Sequence, residues 1–78
     1  MLKLKNIVIE NNIISCNITP EDSKSSGTMQ YDVENDKVLM FSFPEGYEWC
    51  EPYIAQATQF FRNSDKSKLP NEKVLIWF

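Results

Sequence analysis

Histidine is absent from this 78-residue chain. Its absence removes Ser-His-Asp and Cys-His catalysis, metal sites built on imidazole, and the usual proton shuttle at neutral pH. Lysine bases and pairs of carboxylates remain chemically open, but no motif marks either. We therefore expect a protein without enzymatic activity, with no catalytic residue, no bound metal and no cofactor.

Glycine, proline and arginine are scarce. The two glycines and four prolines stand among ordinary proportions of apolar and charged residues, which excludes fibrous and disordered classes. The net charge is −3 and Arg62 is the single arginine, so we expect no nucleic-acid groove. No apolar run has the length needed to cross a bilayer, so we expect no membrane segment. The chain is predicted to form one domain, residues 1–78.

Cys16 and Cys50 stand far apart among apolar neighbours and form neither a CxxC motif nor a ligand pair. The first residues lead directly into alternating polarity, without the pattern of a signal peptide. We therefore expect buried free thiols in a reducing cytoplasm. A position near a helix start favours a lowered thiolate pKa at Cys50, but the neighbouring glutamates oppose it.

Two strands at the start of the chain are predicted to form a hairpin. They are Leu2–Glu10 and Ile13–Thr19. The intervening Asn11-Asn12 pair tolerates the positive φ angles of a two-residue turn. In an unbroken register, Lys5 lies on the apolar face. A bulge near Lys5-Asn6 instead sets Leu4 opposite Ile18 and leaves the lysines outside, and we predict that bulge.

A second hairpin follows. Its strands are predicted at Thr28–Val33 and Lys37–Phe43. A two-residue loop between them mixes polar and apolar side chains on each face. A three-residue loop, residues 34–36, pairs Tyr31 with Leu39 and Met29 with Phe41, and it places Val38 and Met40 on the opposite face. The second register separates the faces by polarity, so we prefer it.

One helix is predicted from Pro52 to about Asn63, because proline suits the first turn and an apolar stripe follows it. The stripe consists of Tyr53, Ile54, Ala57, Phe60 and Phe61. The outer side carries Gln56, Thr58, Gln59 and Arg62. A last strand, Lys73–Phe78, is apolar without alternation. The predicted fold class is α+β, an antiparallel sheet of about five strands in the order 5-1-2-3-4 packed on one α-helix.

The helix covers one sheet face at most, because it is about 10 Å thick and the sheet is about 20 Å wide. The predicted core face carries Leu4, Ile7, Ile9, Ile14, Cys16, Ile18, Met29, Tyr31, Leu39, Phe41 and Phe43. The reverse face carries Val38 and Met40. The last strand adds either Leu75 and Trp77, or Val74, Ile76 and Phe78, to that reverse face. An exposed apolar patch with a tryptophan is a candidate contact surface.

A loop rich in aromatic residues and glutamates precedes the helix. One interpretation makes Tyr47 and Trp49 a binding lip, with neighbouring carboxylates for a cation or a basic partner. The other makes the aromatic residues a cap on the core, with Glu51 favoured near the helix N-terminus. The candidate partner contacts are therefore Val38, Met40, Tyr47, Trp49, Leu75 and Trp77.

Asp32, Glu34 and Asp36 recur at every second position of the second hairpin, which superficially suggests calcium. An EF-hand loop needs a glycine at its sixth position and a distant bidentate glutamate. Neither is present, so we predict a solvated hairpin.

The opening hairpin with Asn11-Asn12 at its turn, the single helix and the Trp77-Phe78 pair resemble short uncharacterised proteins of low-GC Gram-positive bacteria. The abundance of Asn, Ile and Lys, with only two alanines, agrees with this resemblance. The resemblance implies no activity.

The leading hypothesis is a small cytoplasmic protein-interaction module whose partner is another protein or a second copy. The alternative is a small-ligand-binding domain or accessory subunit with an aromatic-lined pocket between helix and sheet; the ligand is unspecified. A third hypothesis, a phage or mobile-element inhibitor that covers a host protein, rests on the same physics as the first.

Overall fold

The computed structural model describes residues 1–77 and has the predicted α+β architecture, a five-stranded antiparallel sheet with one α-helix. The strands are β1 (Leu2–Glu10), β2 (Ile13–Pro20), β3 (Gly27–Asp32), β4 (Lys37–Ser42) and β5 (Lys73–Leu75). The helix α1 spans Tyr53–Asn63, and short 3-10 turns occupy Glu48–Cys50 and Lys66–Lys68. The sheet order is β4-β3-β2-β1-β5, as predicted.

The first hairpin confirms the predicted turn and bulge. Asn11 and Asn12 have φ angles of 54° and 62°, the left-handed values that a type I′ turn requires at both positions. The register shifts between Lys5 and Val8, and Leu4 lies opposite Ile18. The lysine therefore stays in water while the leucine is fully buried.

The second hairpin confirms only half of the predicted register. Met29 lies opposite Phe41, but Tyr31 lies opposite Val38 rather than Leu39. The loop has four residues, 33–36, because the Asp32 carboxylate accepts hydrogen bonds from two loop amides and the last loop residue has a positive φ of 51°. The extra residue is absorbed by a register shift at Leu39. Val38 consequently faces the helix side, and its predicted place on the reverse face is wrong.

The core lies between α1 and the middle of the sheet. The buried residues of the predicted helix stripe are Ile54, Ala57 and Phe61. Tyr53 and Phe60 are partly buried and pack beside them. Phe61 stacks on Tyr31, with ring centroids 6.0 Å apart. From the sheet, the core receives Leu2, Leu4, Ile7, Ile14, Cys16, Ile18, Met29 and Tyr31.

Three residues predicted in the core are exposed. Ile9, Leu39 and Phe41 keep 36%, 42% and 38% of their surface in water. Leu39 is the extra residue at the register shift of β4. Phe41 belongs to the same strand, the outermost on its side of the sheet, and its exposure leaves apolar surface beside the helix.

The last strand resolves the alternative left open by the sequence. In β5, Leu75 lies opposite Leu2, which is fully buried, so Leu75 must face the helix side. Leu75 and Trp77 pack against the core, whereas Val74 and Ile76 are exposed. Of the two alternatives, the one with Leu75 and Trp77 on the reverse face is therefore wrong, and the one with Val74 and Ile76 there is confirmed. Phe78, which the sequence placed in the same strand, lies outside the described residues.

Candidate functional site

The outer edge of β4 is open. Among residues 1–77, β3 is the one strand that pairs with β4, which ends the sheet. Leu39, Met40 and Phe41 are three consecutive apolar residues along it, and each is exposed by about two fifths. An edge strand normally carries charge or proline that prevents pairing with another chain. Within β4 the charged protection is limited to Lys37 at its start, and the irregularity at Leu39 is a second feature that restricts pairing along this edge.

A groove of about 530 Å³ runs between β4 and α1. Val38 and Phe41 line it from the strand. The helix side contributes Pro52, Ile54, Ala55 and Thr58. The groove exists because α1 packs over the middle strands and covers the helix side of β4 only in part. It is therefore continuous with the open edge of β4, and together they form what we call the β4 surface.

Two charged residues, Glu51 and Arg62, flank the groove. Ala55, Thr58 and Arg62 fall on one line of α1, spaced by three and four positions, and Glu51 precedes the helix by two residues. Arg62 lies beside Asp36, just before the start of β4. The groove therefore has the Glu51 carboxylate at one end and the Arg62–Asp36 ion pair at the other.

Arg62 is held in place by a chain of hydrogen bonds. The Tyr31 hydroxyl donates to Asp36, whose two carboxylate oxygens also accept from the Arg62 Nε, at 3.0 and 3.1 Å. The tyrosine bond and then the guanidinium keep the pKa of Asp36 below its ordinary value. No hydrogen bond within residues 1–77 engages the two terminal amino groups of Arg62. They remain available to a carboxylate, since about half of the Arg62 side chain is exposed.

An aromatic row closes one end of the core. Tyr47 stacks on Trp49 at 6.4 Å, Trp49 meets Tyr53 at 6.0 Å, and Tyr53 meets Trp77 at 4.7 Å. The Tyr53 hydroxyl donates to Glu21, which raises the pKa of Tyr53 to about 12. The arrangement fits the interpretation in which the aromatic residues cap the core. Trp49 is the most exposed of the four, with 62% of its surface in water.

The predicted contact residues therefore do not form one surface. Tyr47, Trp49 and Trp77 come together through the aromatic row. Val38 lines the groove, and Met40 lies on the reverse face opposite Gln30, as predicted. Leu75 sits at the other edge of the sheet.

Neither cysteine has the environment of a reactive thiol. Both are buried and free, and burial raises the pKa of Cys16 to about 12. Burial, followed by the Glu21 charge, also raises the pKa of Cys50. A lowered pKa, which its position near the helix start favours, is therefore not found. Among residues 1–77, no cluster of three or more His, Cys, Asp or Glu side chains has the proximity needed to hold a metal ion.

Sequence reasoning missed the groove. Phe41 was assigned to the core, while Thr58 and Arg62 were assigned to the outer side of the helix. One signal was available: the predicted order put the fourth strand at a sheet edge, and its unbroken apolar run Val38–Phe41 has no charge to protect that edge.

No family model matches this chain, and neither the curated proteins nor the solved structures yield a match. Within the described part of the chain, no helix combines the length and apolarity needed to cross a membrane. A functional assignment therefore depends on the geometry of the β4 surface.

Proposed function

We propose that this protein is a non-catalytic, cytoplasmic protein-interaction module that binds an extended polypeptide segment along β4. The observation that carries this proposal is an open, apolar edge strand beside an apolar groove. In strand addition, the free backbone N–H and C=O groups of an edge pair with the incoming chain. Alternate side chains of that chain then enter pockets beside the edge.

Each part of the β4 surface has a distinct role in this mode of binding. The outer backbone groups of β4 supply hydrogen bonds that do not depend on the sequence of the bound segment. Val38 and Phe41 offer apolar contacts on the groove side. Burying such surface is worth about 25 cal/mol per Å². Arg62 selects an acidic residue at one end of the bound segment.

The alternative, a small-ligand pocket between helix and sheet, has weaker support. The groove volume falls in the range of about 300 to 1,000 Å³ that is typical of ligand sites. Such sites also present several converging polar groups. Here the Thr58 hydroxyl is already bonded to the Ile54 carbonyl, at 2.8 Å, and the charged residues Glu51 and Arg62 lie at opposite ends of the groove instead of converging. Among residues 1–77, Phe41 is the one aromatic residue that lines the groove.

A peptide titration tests the proposed function. Dilute ¹⁵N-labelled protein would be titrated with a seven-residue peptide that alternates valine and threonine and ends on glutamate, and amide shifts would be followed by NMR. We expect saturable changes confined to Lys37–Ser42, Ala55, Thr58 and Arg62. Leu39→Lys should weaken this binding at least about tenfold, because a charge on the edge opposes strand pairing.

Val74→Lys is the matched control, since Val74 is an exposed apolar residue on the opposite edge strand. It should leave the affinity for the peptide unchanged. Shift changes that map to the aromatic row instead, or no changes at saturating peptide, would contradict the proposal.

A further inference from the structure

We infer that the segment that binds along β4 is the β4 strand of a second copy of this chain, which makes the protein a twofold-symmetric dimer with one continuous sheet. This inference rests on the proposed function and names its partner. An isologous dimer requires a surface that is complementary to itself. The β4 surface meets that requirement in its strand register and in its charges.

The register follows from the irregularity at Leu39. Val38 and Phe41 pair with the buried Tyr31 and Met29, so both face the groove although an odd number of positions separates them. An antiparallel pair about an axis between Leu39 and Met40 sets Val38 of one copy opposite Phe41 of the other. Residues that lie directly opposite in antiparallel strands share a face, and this pair does.

The same axis also matches the residues at the ends of the strand. It sets Lys37 of one copy opposite Ser42 of the other, and both residues lie on the reverse face, where they pair with Asp32 and Thr28. No charged side chain is forced into the apolar groove by this arrangement. The polarity of both sheet faces therefore continues across the junction.

The charges at the groove ends are complementary under the same rotation. Glu51 lies just before α1 and Arg62 lies in its last turn, and the helix from Tyr53 to Arg62 spans about 14 Å, so the two charged residues are roughly as far apart as the ends of a six-residue strand of about 20 Å. Antiparallel pairing brings the Glu51 end of one groove to the Arg62 end of the other. Each Arg62, held by Asp36 with its terminal amino groups free, then meets Glu51 of the second copy, twice per dimer.

The gap between the two helices is suited to this contact. Helix α1 turns Ala55 and Thr58, two small side chains, toward the groove between these charged residues. In the dimer both helices lie on the same face of the joined sheet and run in opposite directions. Small residues at the centre keep the groove open for Phe41 of each copy, while the longer Glu51 and Arg62 side chains reach across at its ends.

Charge reversal tests the inference. Sedimentation equilibrium should show a monomer–dimer equilibrium for the wild type. Glu51→Arg alone and Arg62→Glu alone should each raise the dimer dissociation constant at least about tenfold, because each places two like-charge contacts in the dimer. An equimolar mixture of the two variants should recover wild-type affinity as a heterodimer, since both of its contacts again join opposite charges.

Two controls separate this contact from net charge and from folding. Glu72→Arg and Lys68→Glu make the same charge changes at exposed positions away from the groove, and they should leave the dissociation constant unchanged. Recovery in the mixture also shows that each variant is folded, including Arg62→Glu, which loses its bond to Asp36.

The outcomes distinguish the inference from the proposed function. A monomeric wild type whose β4 surface still binds the alternating peptide overturns the dimer and leaves the interaction module standing. A dimer that ignores both reversals, or a mixture that fails to recover, overturns the β4 pairing. A monomer that binds no peptide overturns both proposals.

Discussion

Replacing Phe61 with alanine should lower the free energy of unfolding by about 3 to 5 kcal/mol, the cost of deleting a buried phenylalanine and leaving a cavity. Phe61 has no exposed surface and stacks on Tyr31 at the centre of the single core. A small domain of this kind is stable by only about 5 kcal/mol or slightly more. We therefore expect the variant to retain at most about 2 kcal/mol and to unfold at much lower urea concentrations than the wild type in titrations followed by circular dichroism.

Phe60→Ala is the matched control for this change. Phe60 is the neighbouring ring, but it is only partly buried and lies at the margin of the core. It should lose roughly half as much stability, in proportion to the smaller apolar area removed from water. Equal losses at the two positions would contradict the packing of α1 on the sheet described above.

Replacing Gly27 with alanine should lower the free energy of unfolding by about 3 kcal/mol, the upper range for overpacking a tight site. A Cβ built at Gly27 would lie 1.8 Å from the carbonyl oxygen of Ser42 and 2.6 Å from its carbonyl carbon. Because both atoms belong to the backbone, no side-chain rotation relieves the clash. The start of β3 and the end of β4 must separate, and this separation should also weaken binding along β4.

Urea denaturation measures this effect against Gln30→Ala, an exposed position on the same strand. That control should change stability by less than about 0.5 kcal/mol, as is usual for surface substitutions. Wild-type stability in Gly27→Ala would mean that β3 and β4 lie farther apart at this end than the structure places them.

The sequence predicted the features that polarity alone decides. The bulge beside Lys5 was predictable because an unbroken register would have buried a lysine, and asparagine at position 6 accepts the resulting φ of 54°. The helix stripe was predictable for the same reason, since its apolar spacing matches one helical face. The sheet order followed from a meander closed by one crossing.

The register near Leu39 was not predictable from polarity. Every residue in Val38–Phe41 is apolar, so each of them can lie on either face of the sheet without burying a polar group. The deciding interaction was local: Asp32 binds two loop amides and thereby lengthens the loop. The face of β5 was decided by tertiary pairing with Leu2, which no property of the last strand reveals.

The β4 surface was hidden from sequence reasoning for a third reason. Whether Phe41 lies under the helix or beside it depends on where α1 sits across the sheet. That position is set by the packing of Phe61 and Ala57 on the middle strands. The charged ends of the groove were equally hidden, since Arg62 was predicted on the outer side of the helix and its bond to Asp36 joins residues distant in sequence.

Amide hydrogen exchange in β4, measured as a function of protein concentration, tests most directly whether a second backbone pairs with this strand. At concentrations where nine tenths of the chains are paired, the outward-facing amides of Lys37–Ser42 should exchange about tenfold more slowly than in dilute protein, because exchange then proceeds through the unpaired tenth. Leu39→Lys should abolish that dependence. Exchange of the β4 amides at one rate across the whole concentration range would contradict the account.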